Sequence, residues 1–546
     1  MRWKLWTIRI TITLAFIGLL VNLYNVQIQH SSYYVSKANA LQEARGALDA
    51  SRGIIYFTDK NGTHIPVVLN KEYPTIYAVP KEVTDVALAA KSLAPLVNKD
   101  EATLIKMLSK PNDQYELLVE KGSDQQVNQV RALNLKGIYI KNKTFRYYPF
   151  GTMASQVLGY VSLSQDGLGK GTYGLEAQFD DTLSGKDGYL AGQSVFAPQN
   201  GEDIYTTLDQ TIQSEAEDIL SSLVKEWGAD GGTVLVQDPY SGNILAMANN
   251  PNFDPNDYSA YDLSSFINRA VQFVYEPGSV FKPVTMTAGI DSGKLTPNTT
   301  YTDTGSVTIS GRLIQNWDHK AHGLTTMRGV IENSLNLGTI FAERTMGHSV
   351  FKNYVNVFGF GQNTGIELPG EVAGSLKNLD TNRDVNFATA SFGQGLSVTP
   401  IQLITAFSAI ANGGLLLKPH IIAEQQPEVV RRVASENTTK QVTDMMVSAV
   451  VKNVLAVVDS YNVAGKTGTA YVPDFKKGGY SDDVINTYMG FAPASRPKFV
   501  ILIELIKPKN TPLAGQTVVP SFQKLTSFLL NYYQVAPDNI SSASVH

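Results

Sequence analysis

The residues from Ile10 to Ile28 carry no charge, and Ile10-Thr-Ile-Thr-Leu-Ala-Phe-Ile-Gly-Leu-Leu-Val21 is strongly apolar. A stretch of this length is about what crosses a bilayer, with polar Asn22, Asn25 and Gln27 toward one end. Arg2, Lys4 and Arg9 precede it, and the next positive charge is Lys37. The positive-inside rule then predicts a short cytoplasmic tail and a membrane anchor over residues 1–29, with the chain after Gln29 outside the cell membrane. Trp3 and Trp6 suit the interface. A cleaved leader is the competing reading. No Ala-x-Ala-like site follows the apolar run, where the sequence is Asn22-Leu-Tyr-Asn-Val26, so an uncleaved single-pass anchor is expected.

The rest of the 546 residues exceeds what one core usually needs, so two or three domains are expected. Lys and Arg number 45 against 49 Asp and Glu, a net charge of −4, which gives no reason to expect a nucleic-acid partner. The absence of cysteine excludes disulfides, thiolate zinc sites and cysteine nucleophiles. Seven histidines leave few candidates for a Ser-His-Asp triad.

From residue 30 to 201, short apolar runs alternate with turn signals, such as Ile54-Ile-Tyr-Phe57 followed by Asp59-Lys-Asn-Gly62. Lys81 to Gln126 reads as mostly helical, and Gly137 to Ile140 and Val157 to Val161 as strands. No catalytic constellation stands here, so a structural or interaction domain is expected. A second domain, 202–535, opens with a capping box at Thr207-x-x-Gln210 and a helix with Ile212, Ala216, Ile219, Leu220 and Leu223 on one face. Gly232–Asp238 and Asn243–Ala248 flank Pro239-Tyr-Ser-Gly242 as a hairpin. Three more strands are expected at Asn462–Tyr471, Asn486–Phe491 and Lys498–Leu505. Helices lie between the two groups, one starting at Thr399-Pro400. This pattern predicts an α+β domain, one antiparallel sheet with helices on its faces, followed by a tail at 536–546.

Three polar motifs in this second domain carry chemistry. Ser279-Val-Phe-Lys282 follows the turn Glu276-Pro-Gly278 and opens an apolar run, which places Ser279 at a helix N-terminus and Lys282 on the same face one turn later. A lysine is the base for a hydroxyl only when its amine is neutral, and burial or a neighbouring cation such as Lys466 depresses its pKa. Ser334-Leu-Asn336 offers a hydroxyl to relay a proton and an amide to hold a carbonyl. Lys466-Thr467-Gly468-Thr469 sits among small residues in a predicted strand, where glycine admits close backbone approach. Together they supply acyl transfer through a serine ester without histidine, cofactor or metal.

Each motif alone is common. S-x-x-K also occurs at Ser222, Ser349, Ser495 and Ser521, and Ser349-Val-Phe-Lys352 repeats the same four letters; it reads as a surface helix start. Ser-x-Asn recurs at Ser241, Ser435 and Ser460. A P-loop around Lys466 needs glycine at position 460, which is Ser460. Asp318, His319 and His322 lie in a predicted loop without a further ligand, which reads as a satisfied or solvated pair.

With the three motifs in this order, the chain resembles a class B penicillin-binding protein. Arg52-Gly-Ile-Ile55, Arg146-Tyr-Tyr-Pro149 and Tyr173-Gly-Leu-Glu176 resemble signatures of that family's N-terminal pedestal. Asn250-Pro-Asn-Phe-Asp-Pro-Asn256, Phe392-Gly-Gln-Gly395 and Ala411-Asn-Gly-Gly414 resemble its transpeptidase domain. Ser-x-Asn, Val463–Ala470 and Gly478-Gly-Tyr-Ser-Asp-Asp483 are more similar to the septal, cell-division branch than to the elongation branch. Asp59-Lys-Asn-Gly62 departs from the family's usual Asp-Arg-Asn-Gly.

The resemblance implies an elongated mixed pedestal domain and a penicillin-binding transpeptidase domain behind the anchor. It implies a peptidoglycan D,D-transpeptidase in which Ser279 attacks the carbonyl between the terminal D-alanines of a stem peptide and Lys282 takes its proton. Ser334 and Lys466 pass a proton to the departing D-alanine, with Asn336 beside them. Backbone N–H groups of Ser279 and Thr469 form the oxyanion hole, and Lys466, Thr467 and Thr469 hold the substrate carboxylate along Gly468. The implied partners are donor and acceptor stem peptides, β-lactams, and a glycan polymerase of the SEDS family with other division or elongation proteins. Hydrolysis, as in a D,D-carboxypeptidase or β-lactamase, uses the same motifs and is the alternative; the pedestal and anchor favour transfer. A division-complex scaffold or β-lactam sensor is the non-enzymatic alternative. Intact motifs argue against the scaffold, and only Met1 to Arg9 precede the apolar stretch where a sensor needs a signalling domain.

Overall fold

The computed structural model describes residues 2–25 and 49–539, apart from 112, 164–168, 192–193, 475 and 511–512. Helix α1 (Arg2–Tyr24) covers most of the expected anchor, of which residues 26–28 lie outside the described residues. Its Leu14, Phe16, Ile17, Leu19, Leu20 and Leu23 are all exposed. Among the described residues, no helix is long and apolar enough to cross a membrane.

The chain divides into two compact units, Met1–Gly53 with Asp181–Asp203, and Ile54–Asp180 with Ile204–His546. In the smaller unit, Gly53 N donates to Leu183 O at 2.8 Å, and Tyr189–Ala191 pairs with Ser194–Phe196 as a hairpin.

Among the described residues, the larger unit contains two five-stranded sheets, with two-stranded pairs besides them. The first comprises β1 (Ile55–Thr58), β2 (His64–Ala78), β3 (Glu116–Val119), β4 (Ile138–Tyr147) and β5 (Ile204–Tyr205), in the order β3-β2-β1-β5 with β4 along β2. The Asp59–Gly62 turn forms because Asp59 Oδ1 accepts from the N–H groups of Asn61 and Thr63, both at 2.8 Å. The Lys81–Gln126 stretch contains helices at Val86–Val97, Glu101–Leu108 and Asp124–Ala132, but β3 interrupts it. Glu116 and Leu118 alternate inward there, a strand period hidden within a helix-rich segment. The strand expected at Val157–Val161 is a short helix, Ser155–Leu158, then a strand from Tyr160; Gly159 with φ of 76° makes the break. Arg146 Nε donates to Glu176 Oε1 at 2.7 Å in the interior, joining two of the quoted pedestal motifs.

The second sheet is fully antiparallel: β6 (Gly231–Gln237), β7 (Ile244–Asn250), β8 (Ala464–Pro473), β9 (Tyr480–Ala492) and β10 (Phe499–Ile506), in the order β7-β6-β10-β9-β8. Helices α2 (Gln210–Trp227) and α8 (Ala514–Tyr532) cover one face, where Ile212, Leu220, Val234, Ile503, Phe522 and Leu529 share a core. The cap of α2 is Asp209, which accepts from Thr211 and Ile212, rather than Thr207. Thr207 is buried, and its hydroxyl donates to Ile244 O at 2.6 Å instead.

Of the helices α3 (Lys282–Asp291), α4 (Met327–Glu332), α5 (Asn336–Met346), α6 (Pro400–Ala411) and α7 (Glu436–Asn453), α6 packs across β6, β9 and β10, α7 packs against β8 and α6, α3 and α4 pack against α7, and α5 packs against α3 and α4. Helix α6 is buried along its whole length, as a helix apolar on nearly all sides must be. Its capping box uses Thr399 and Gln402, as the Thr-Pro start predicted. The α+β architecture expected from the strand and helix order is thus present, and β8, the strand of the Lys466 motif, lies at one edge of the sheet.

Candidate active site

The turn Glu276-Pro-Gly278 feeds a 3-10 helix, Gly278–Phe281, which runs directly into α3. Gly278 has φ of 59°, a conformation that glycine adopts without strain. Val280, Phe281, Val284 and Met286 are buried and pin this entry to the core. Ser279 is half-buried, and Lys282, one turn on, is fully buried.

Strand β8 runs against this turn. A Cβ on Gly468 would stand 2.9 Å from Val280 Cγ1, 3.0 Å from Pro277 O and 3.2 Å from Val280 N. A Cβ on Gly465 would meet the Tyr488 hydroxyl at 2.2 Å. Gly468 therefore sets how closely the strand passes the serine turn, and Gly465 leaves room for the Tyr488 ring of β9.

Lys282 Nζ donates to Ser334 O at 2.6 Å, to Asn336 Oδ1 at 2.9 Å and to Ser334 Oγ at 3.2 Å. Lys466 Nζ donates to Ser334 Oγ at 2.9 Å, to Thr467 O at 3.0 Å and to Thr467 Oγ1 at 3.4 Å. The Ser334 hydroxyl thus stands between two amines. Burial, and then the Lys466 charge, holds the Lys282 amine well below the usual lysine range. Burial alone pulls Lys466 down to about 7. Two buried lysines in one site are costly as two cations, and the neutral form of one relieves the repulsion.

Ser334 occupies the connection between α4 and α5 with φ of 55°. A non-glycine residue held in the left-handed region is characteristic of positions constrained by a site. Asn336 is engaged at both ends of its amide: Oδ1 accepts from Lys282, and Nδ2 donates to Gln315 O at 2.9 Å. The carbonyl-holding task expected of Asn336 is therefore joined by a bridging one between Lys282 and the Arg312–Gln315 strand. Nearby, Trp317 Nε1 donates to Asn333 O at 2.9 Å. Gln315 and Trp317 escaped sequence reasoning because they belong to no motif and reach the site through backbone atoms and an exposed ring.

Of the residues singled out in the sequence, Lys282, Ser334, Asn336, Lys466 and Thr467 are joined by direct hydrogen bonds. Gly468 packs on the turn that bears Ser279, and Thr469 Oγ1 accepts from Ala514 N at 3.2 Å at the start of α8. The repeated Ser349-x-x-Lys352 opens a separate helix, His348–Val357, and Lys352 pairs with Asp380 at 2.8 Å. Of the two histidines His319 and His322, the second pairs with a carboxylate: His322 Nε2 lies 2.9 Å from Asp318 Oδ2.

A serine, two depressed lysines, a hydroxyl bonded to both amines and a glycine-bearing edge strand make up the residue set of a serine acyl-transfer site of the histidine-free kind. Residues 232–526 match the penicillin binding protein transpeptidase domain, and residues 47–219 match the penicillin-binding protein dimerisation domain. The chain is 35% identical to stage V sporulation protein D of Bacillus subtilis, over 84% of this chain and 75% of that protein. It is 31% identical to the probable peptidoglycan D,D-transpeptidase PenA of Neisseria gonorrhoeae, over 90% of this chain and 86% of that one. Its fold is similar to penicillin binding protein 2X of Streptococcus thermophilus, with a TM-score of 0.72 at 24% identity, covering 89% of this chain and 80% of that chain. The chain belongs to the class B penicillin-binding proteins.

Proposed function

We infer that the protein is a serine-type peptidoglycan D,D-transpeptidase that β-lactams acylate. The observation that carries this reading is the Ser334 hydroxyl held between the amines of Lys466 and of Lys282, the lysine one helical turn beyond Ser279. Ser279 Oγ bonds to the carbonyl carbon between the two terminal D-alanines as neutral Lys282 takes the hydroxyl proton. The C–N bond breaks, and the departing D-alanine amine receives a proton through Ser334 and Lys466. The Ser279 and Thr469 N–H groups stabilise the oxyanion. Lys466, Thr467 and Thr469 hold the donor's carboxylate. An acceptor stem-peptide amine then attacks the ester, forming the cross-link and freeing Ser279.

The setting extends the reading. An N-terminal anchor over Ile10–Ile28, with Arg2, Lys4 and Arg9 inside, fits the exposed apolar side chains of α1 and puts the catalytic domain outside the cell membrane. The Ser-x-Asn motif and the Gly478–Asp483 insert favour septal over elongation synthesis. A SEDS-family glycan polymerase is the partner this arrangement calls for, through the anchor and pedestal.

Incubation of the full chain with a D-alanyl ester donor and a D-amino acid acceptor tests the reaction. Acceptor-dependent product is expected. Hydrolysis alone, or sustained turnover of a chromogenic β-lactam, would make the protein a hydrolase instead.

A further inference from the structure

Glu276 stands three residues before Ser279, and its carboxylate is where three segments meet. Oε2 accepts from the Tyr480 hydroxyl at 2.9 Å, and Oε1 accepts from Gly395 N at 3.0 Å. Tyr480 opens β9 opposite Pro473, at the tip end of the β8–β9 hairpin. Gly395 closes the 392–395 loop, which is itself packed on the serine turn. Gly278 N donates to Gly393 O at 3.0 Å, and a Cβ on Gly393 would lie 2.2 Å from Gly278 O. Tyr275 and Val398 exchange both backbone hydrogen bonds at 3.0 Å behind it. The turn is thus braced from the loop side by backbone. On the hairpin side, the Glu276–Tyr480 hydrogen bond links it to the end of the strand pair that bears Lys466–Thr469.

Two donors on one partly desolvated carboxylate make strong, directional contacts. They cross between segments far apart in sequence, so each fixes a tertiary relationship rather than a local turn. Burial pushes the Glu276 carboxyl up, and the Tyr480 and Gly395 hydrogen bonds draw it back.

We propose that Glu276 is a positioning residue for acylation, holding the β8–β9 hairpin through Tyr480 so that the Lys466–Thr469 strand stays in register with Ser279. This rests on the acyl-serine reading above.

The test measures the second-order rate of acylation of the full chain by a fluorescent penicillin, together with thermal melting. Tyr480→Phe removes one hydroxyl and is expected to slow acylation about 5–10-fold while shifting the melting temperature by no more than about 2 °C. Glu276→Ala is expected to slow it about 10–100-fold. Glu276→Gln keeps an acceptor for Gly395 and an N–H for the Tyr480 oxygen, and is expected to recover to within about 3-fold of wild type. The double variant Glu276→Ala with Tyr480→Phe is expected to be no slower than Glu276→Ala alone, because both remove one link. A wild-type rate for Tyr480→Phe, losses that multiply in the double variant, or no recovery with glutamine would overturn the proposal. A wild type that fails to label, or a Ser279→Ala that labels, would instead remove the acyl-serine reading beneath it.

Discussion

Lys466 Nζ donates to Ser334 Oγ at 2.9 Å, across 132 residues of sequence. The same hydroxyl lies 3.2 Å from Lys282 Nζ. A hydroxyl has one proton and two lone pairs, so it can accept from one amine while donating to the other. That is the minimum equipment for passing a proton between two lysines, neither of which has to leave its place.

Removing this hydroxyl tests the relay. Ser334→Ala and Ser334→Gly are both expected to slow penicillin acylation about 10²–10³-fold. Glycine also relieves the left-handed backbone at this position, so its melting temperature should equal or exceed that of the alanine variant. Wild-type acylation by the glycine variant would remove Ser334 from the proton path.

The lysines set the pH dependence. With Lys282 as the proposed base, acylation should rise with pH as its depressed pKa is passed. With Lys466 supplying charge and a proton as proposed, the rate should fall above about 7 as that ammonium is deprotonated, giving a bell. Because the Lys466 charge contributes to depressing Lys282, Lys466→Ala should move the acid limb to higher pH and remove the alkaline limb. Rates of β-lactam acylation between pH 5 and 10 read both limbs.

Close passage of β8 over the serine turn is the next dependence. Gly468→Ala places a methyl 3.0 Å from Pro277 O and 2.9 Å from Val280 Cγ1. Backbone on one side limits relief, so the variant should lose about 1–3 kcal/mol of stability and at least about tenfold in acylation. Unfolding by denaturant and labelling by a fluorescent penicillin measure the two losses separately.

A buried carboxyl outside the site makes stability depend on pH. Glu504 on β10 is fully buried, neither of its oxygens has a hydrogen-bond partner among the described residues, and burial raises its pKa to about 8. Between 4.5, the ordinary value, and about 8 the folded chain holds this proton and the unfolded chain has lost it. The contribution is complete below the unfolded pKa and is lost as pH rises through that window, at about 1.4 kcal/mol per unit. Glu504→Gln should flatten this slope in denaturant titrations at a series of pH values. An unchanged slope would place the proton elsewhere.

What was legible in the sequence is uneven. The order of Ser279, Ser334 and Lys466, the Pro-Gly turn and the glycine-flanked strand were readable because each is a local pattern with a local cause. Thr399 was readable as a cap for the same reason. Thr207 was not, since burial turned its hydroxyl toward Ile244 O and left capping to Asp209. The strand at Glu116–Val119 was hidden because it exists only by pairing with Ile76–Ala78 of β2. Asn336 reaching Gln315, and Glu276 reaching Tyr480, are tertiary contacts that no spacing along the chain announces.

The proposed reaction requires that Ser279, and not one of the other four S-x-x-K serines, form the acyl-enzyme. Mass spectrometry of peptides from the penicillin-treated full chain locates the adduct. The β-lactam mass is expected on the peptide containing Ser279 and absent from Ser279→Ala. An adduct on Ser334 or Ser349, or one that persists in Ser279→Ala, would contradict it.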